Sequence, residues 1–177
     1  MDRSQEDYIH YRIDKADEIL EDAELLAENE RWNSCVNRLY YSSFYLVTAL
    51  LYKNQIRTQT HNGVKTQFFL HFVKKGKVSQ DDGKLFSHLF DWRQESDYSD
   101  FIEFDKETVI PLLERVRAFN DAIKGLIRGI KGHVCASTLH SHTLSEFWHS
   151  PILSLPRLRR REDGGSLFWL ISTGGPL

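Results

Sequence analysis

The chain has 177 residues, 41% of them apolar and 27% charged, with a formal net charge of -2. Those values fit one soluble globular domain and give no bulk electrostatic pull toward nucleic acid or a membrane surface. No apolar run approaches the roughly 18–20 residues of a membrane span, and Met1-Asp2-Arg3-Ser4-Gln5-Glu6 lacks the basic-then-apolar order of a signal peptide. The two cysteines, Cys35 and Cys135, build no disulfide framework, so a reduced, cytoplasmic protein is expected.

Over residues 4–28, Tyr8, Ile9, Ile13, Ala16, Ile19, Leu20, Ala23 and Leu26 recur at steps of three and four, which predicts an amphipathic helix. Residues 1–30 hold eleven acids against Arg3, Arg12 and Lys15, a pattern that reads as a solvated acidic face. Asn29-Glu30-Arg31 is a weak break. A more apolar helix follows from Trp32 to Tyr52, through Val36, Leu39, Tyr40, Phe44, Val47, Leu50 and Leu51, and should be central. Cys35 lies in its apolar pattern and reads as a small core residue.

Asn54 to Thr60 reads as a loop. A short helix from His61 to Lys75 buries Val64, Phe68, Phe69, Phe72 and Val73, and Lys74-Lys75-Gly76 ends it with last-turn cations and a left-handed glycine. Ser79 and Asp82 have capping-box spacing before a helix that runs to Tyr98. After a link over 99–104, Asp105 can cap a last helix through Leu126. Pro111 sits too deep for a first-turn proline, so a kink or a frayed first turn is expected. The fold expected is all-α: an up-and-down bundle of four main helices plus one short helix, over residues 1–128.

Composition changes beyond that point. Six of the ten glycines, three of the four prolines and half of the eight histidines lie after residue 128. No helical period lasts, so 129–177 reads as an irregular, disordered or loosely docked tail, and its abrupt composition fits a read-through or frame-shifted extension. Its His133, Cys135, His140, His142 and His149 lack zinc-module spacing, and Arg157 to Arg161 is a weak nucleic-acid signal.

Two arginines interrupt the apolar patterns. Arg93 and Asp97 are four apart on one helix, beside Leu85, Leu89 and Trp92, with Tyr98 adjacent; this reads as a polar pocket at a seam. Arg38, Tyr41 and Ser42 share a face of the central helix, and Arg38 should need a carboxylate if buried, from Asp97 or the first helix. Joined, Arg38 and Arg93 would make an anion-binding cleft suited to phosphate. The ligand-binding set expected is therefore Arg38, Tyr41, Arg93, Asp97 and Tyr98. His61-Asn62-Gly63-Val64-Lys65 opens a helix whose free N–H groups could meet an anion, although a plain helix start explains it as well. His71 and His88 read as core histidines. There is no P-loop, glycine-rich dinucleotide turn, HExxH or serine-nucleophile motif, so neither cofactor nor metal is expected.

Four stretches occur in an order that resembles the HEPN domain, in its small stand-alone prokaryotic branch. They are Asn37-Arg38-Leu39-Tyr40-Tyr41-Ser42-Ser43-Phe44-Tyr45, Thr60-His61-Asn62-Gly63-Val64, Phe72-Val73-Lys74-Lys75-Gly76, and Arg93-Gln94-Glu95-Ser96-Asp97-Tyr98-Ser99-Asp100-Phe101. The resemblance spans about residues 5–127. It implies a homodimeric helical bundle, often encoded beside a minimal nucleotidyltransferase as a toxin–antitoxin module. It also implies a metal-independent ribonuclease motif, an arginine followed after four to six residues by a histidine. From Arg93 that histidine would fall at Tyr98, Ser99 or Asp100, and none is histidine. Without imidazole there, proton transfer from a 2′-hydroxyl lacks its usual carrier. The leading expectation is a non-enzymatic dimeric module for a nucleotidyltransferase partner, a nucleotide or RNA. The alternative is a ribonuclease toxin of altered active site, with Arg93 catalytic. In some relatives a tyrosine after the arginine motif is modified, and Tyr98 lies near that place.

Overall fold

The computed structural model describes residues 3–98 and 103–129, and of Glu95–Tyr98 the backbone alone. Five helices and no strand occur among them: α1 Arg3–Glu28, α2 Trp32–Lys53, α3 His61–Phe68, α4 Gln80–Tyr98 and α5 Lys106–Arg128. The expected all-α bundle is what forms. The tail after residue 129, with its histidines, Cys135 and arginine run, lies outside the described residues, as does the link 99–102.

The central position of α2 follows from its composition. Leu39, Tyr40, Leu46, Val47, Ala49 and Leu51 are wholly buried, and α2 touches each of the other four helices. Small residues on the α1–α2 seam, Ala16, Ala23, Ser42 and Ala49, are also fully buried, which lets the two axes approach closely. Burial pushes the Cys35 thiol up to about 11, consistent with an unreactive core residue.

Two hydroxyls and one amide are buried in this seam and satisfy one another. Ser42 Oγ donates to the Ala16 carbonyl at 2.8 Å. Asn120 Nδ2 donates to Ser42 Oγ at 2.8 Å, and Ser43 Oγ donates to Asn120 Oδ1 at 3.0 Å. This network ties α1, α2 and α5 together and fixes their register, because a slip would strand buried polar atoms.

Local signals end the helices. Glu30 (φ 57) and Gln55 (φ 61) take left-handed conformations after α1 and α2. There Arg31 N–H reaches the Leu26 carbonyl at 2.8 Å and Ile56 N–H the Leu51 carbonyl at 2.9 Å. Thr60 caps α3 through Gly63 N–H at 3.0 Å. Ser79 Oγ accepts from Asp82 N–H at 3.0 Å, while its own hydroxyl donates to the Asp82 carboxylate at 2.8 Å. The short helix departs from expectation: beyond Phe68 it widens into a π turn over Phe69–Val73, closed by Lys74 N–H on the Phe69 carbonyl at 2.8 Å. Helix α4 comes close to that turn at Gly83, where a Cβ would stand 3.0 Å from both methyls of Val73. Gly76 then takes φ 68, as the left-handed stop requires.

Pro111 does not fray the first turn of α5. Asp105 caps it through Thr108 N–H at 3.0 Å, and the helix continues through the proline. The acidic face of α1 is only partly solvated: Asp17 pairs with Lys124 and Glu24 with Arg117, both from α5. An aromatic lattice completes the core. Phe68, Phe86 and Phe119, from α3, α4 and α5, have ring centres 5.2–6.2 Å apart. Phe86 also lies 6.3 Å from Tyr40, which leads from the core to the site.

Candidate functional site

Tyr41, half-buried on α2, is the hub of a cationic and aromatic cluster. The Arg38 guanidinium carbon lies 6.0 Å from its ring centre and that of Arg93 5.8 Å. Arg38 reaches the ring from one turn earlier on α2, whereas Arg93 comes across from α4. The third neighbour is His61 of α3, edge-on to Tyr41 with ring centres 6.3 Å apart. Its imidazole stacks on Phe44 at 4.3 Å and 14°, and its Nδ1 is 2.7 Å from the Tyr40 hydroxyl.

The backbone explains why these groups meet. The loop over 54–60 carries the chain back from the end of α2, which sets the first residue of α3 beside Tyr40 and Phe44. Lys65, one turn into α3, bonds to Asp91 of α4 at 2.9 Å and lies 4.6 Å from the Phe90 ring centre. This tie holds α3 against the part of α4 that carries Arg93. It is partly exposed, so it contributes on the order of 1 kcal/mol or less.

The electrostatics follow from burial and from Arg93. Burial pushes the Tyr40 phenol well above its usual value; the Arg93 charge opposes this and Tyr41 adds to it. Burial lowers the His61 value, and the charge of Arg93 lowers it further. His61 therefore favours its neutral form, beside two permanent cations. Planar guanidinium groups carry paired N–H donors whose spacing matches phosphate oxygens.

Of the five expected ligand residues, three converge: Arg38, Tyr41 and Arg93. The side chains of Asp97 and Tyr98 lie outside the described residues. Three expectations change. Arg38 is exposed rather than buried, so it needs no carboxylate, and none among the described residues pairs with it. Ser42 turns away from the cluster into the buried Ala16–Asn120 network, because steps of three and of four residues from Arg38 lead to slightly different sides of α2. His71 and His88 are half-buried rather than core; His88 stacks on Trp92 with ring centres 5.7 Å apart.

Sequence reasoning missed His61 as a side chain of the site and Tyr40 as its partner. His61 stood at an anion-competent helix start, but its ring, not the helix terminus, is what joins the cluster. A histidine opening a helix after a loop of six or seven residues was the available signal. Among the described residues no group of His, Cys, Asp and Glu side chains could hold a metal ion, and no helix is long and apolar enough to cross a membrane.

The described residues form an all-α bundle with Arg38, Tyr41, His61 and Arg93 gathered where α2, α3 and α4 meet. The HEPN domain model matches residues 9–126, and the chain belongs to the HEPN domain family. It is 41% identical to a UPF0332 protein of Thermotoga maritima, across 72% of this chain and 96% of that protein. It is 34% identical to a "Putative toxin" of Methanocaldococcus jannaschii, across 63% of this chain and 76% of that protein. A second "Putative toxin" of that organism is 30% identical, across 67% of this chain and 87% of that protein.

Proposed function

We propose that this HEPN protein is a dimeric binding module of a toxin–antitoxin-like pair, which receives a phosphate-bearing ligand, nucleotide or RNA, at the cluster around Tyr41. The observation that carries the reading is the approach of Arg38 and Arg93, from two helices, to within about 6 Å of one half-buried ring. Guanidinium groups from two helices at one ring offer forked N–H donors that one phosphate group can bridge. The names of the two Methanocaldococcus relatives support the toxin–antitoxin context. In this reading the partner is a minimal nucleotidyltransferase, the homodimer uses α2 and α4, the site lies in the cytoplasm, and Asp97 and Tyr98 extend the site along α4.

Titration of the purified chain with AMP and with a short RNA tests the reading. Saturable binding that weakens at high salt and is lost in Arg93→Ala is expected. Light scattering at tens of micromolar should show a dimer; a strict monomer would remove that element. Metal-independent ribonuclease action is the second reading, favoured by the imidazole of His61 beside Arg93. RNA cleavage that survives EDTA and disappears in Arg93→Ala would replace the binding module with the ribonuclease.

A further inference from the structure

The Tyr40 hydroxyl is wholly buried, and its one hydrogen-bond partner among the described residues is His61 Nδ1, at 2.7 Å. Two arrangements satisfy that distance. If Nδ1 carried the proton, the phenol would accept, and its own buried O–H would have no acceptor. If Tyr40 donates, both groups are satisfied, so burial selects the second arrangement. The proton of the neutral imidazole then stands on Nε2, which has no hydrogen-bond partner among the described residues. Among the described residues, the groups facing the ring are Tyr40, Tyr41 and Phe44 of α2 and Arg93 of α4. None is an acid that would draw a second proton onto it. Stacking on Phe44 fixes the ring plane. His61 is thereby a preset donor rather than a base, which also accounts for an imidazole standing beside a guanidinium.

Three donor groups from three helices surround Tyr41: Arg38 of α2, His61 of α3 and Arg93 of α4. Arg38 is exposed and free to swing across the ring. A phosphate monoester presents three terminal oxygens and up to two negative charges. An internal phosphodiester presents two free oxygens and one charge. We propose that Arg38, Arg93 and His61 Nε2–H, aligned by Tyr40, together take a terminal phosphate monoester, carried by a free nucleotide or by an RNA 5′ end. The proposal rests on the anion-site reading above and narrows it to one phosphate class.

The test compares four probes on the full chain: AMP, adenosine, and one short RNA with and without a 5′-phosphate. AMP and the phosphorylated RNA should each bind about tenfold or more tighter than their unphosphorylated counterparts. Whichever of these two binds tighter identifies the source of the phosphate, and either result supports the proposal. His61→Ala should erase most of that preference, read as the ratio of the affinities for the two RNAs in the variant. Tyr40→Phe should do the same; because it also alters a buried group, the ring state is read directly in the unmodified chain. There, 15N NMR should show His61 protonated at Nε2 and bare at Nδ1. Equal affinity for the two RNAs, an unchanged preference in His61→Ala, or a proton on Nδ1 would each overturn the proposal. If Arg93→Ala weakens binding but the 5′-phosphate makes no difference, the anion site stands and this narrowing fails. If no probe binds, both fail.

Discussion

The phenol of Tyr40 and the imidazole of His61 meet at 2.7 Å, although 21 positions separate them in the chain. That contact joins the aromatic core to the cationic cluster, since Tyr40 also lies 6.1 Å from Phe90 and 6.3 Å from Phe86. The site is thus anchored in the buried aromatic core of the bundle, while Arg38 at its rim is exposed. A packed donor set with one exposed arm suits a small charged ligand better than a broad surface does.

His61 should titrate below the usual histidine value of about 6.5. The sign for stability follows directly. The unfolded chain takes up the His61 proton first as pH falls, so the His61 contribution to stability is intact above about 6.5 and declines below it toward the folded value. Arg93→Met should raise the His61 titration point, because one of its two causes is the arginine charge. NMR titration of the ring protons checks this; no rise in the variant would separate the two residues electrostatically.

Asn120 serves the fold and not the site. Asn120→Ala strips Ser42 and Ser43 of a buried partner and opens a small void. Urea unfolding should show a loss of roughly 1–3 kcal/mol. Affinity for AMP, normalised to folded protein, should remain as in the parent chain, since the network faces α1 and α5.

Gln55 holds a left-handed backbone at φ 61 without the freedom of glycine. Gln55→Gly relieves that strain and loses part of the gain through a more flexible unfolded chain. The expected net stabilisation is about 0.5 kcal/mol, read as a higher urea midpoint at constant slope. A lower midpoint would show that the Gln55 side chain contributes more than its backbone costs.

The helical bundle is proposed to fold without residues 131–177. A chain ending at Ile130 keeps all five helices and the whole Tyr41 cluster. It should unfold cooperatively, with the same oligomeric state and the same AMP affinity as the full chain. Loss of any of these on truncation would assign the tail a structural role.

Most of the bundle was legible because its causes are local. Apolar spacing of three and four marked each helix, Thr60-His61 and Asp105 marked starts, and Gly76 marked a stop, each set by a few neighbouring residues. The π turn at Phe69–Val73 was not legible. It packs closely against Gly83 of α4, a relation between residues ten or more positions apart. The frayed first turn expected at Pro111 does not form, since Asp105 caps α5 and Val109, Leu112 and Leu113 are buried on either side of the proline.

By itself, the amino-acid sequence determined an all-α chain, a central α2, and two arginines out of keeping with apolar helices. Periodicity is a property of neighbours along the chain, and the oddness of Arg38 and Arg93 is visible against it. Tertiary structure alone decided which groups stand together. It turned Ser42 inward to Asn120, left Arg38 in solvent, and brought His61 under Tyr40 beside Arg93. Those outcomes depend on how α3 folds back and how close three helices come. The missing histidine of the Arg93 stretch is a fact of sequence; the histidine that stands beside Arg93 from another helix is a fact of the fold.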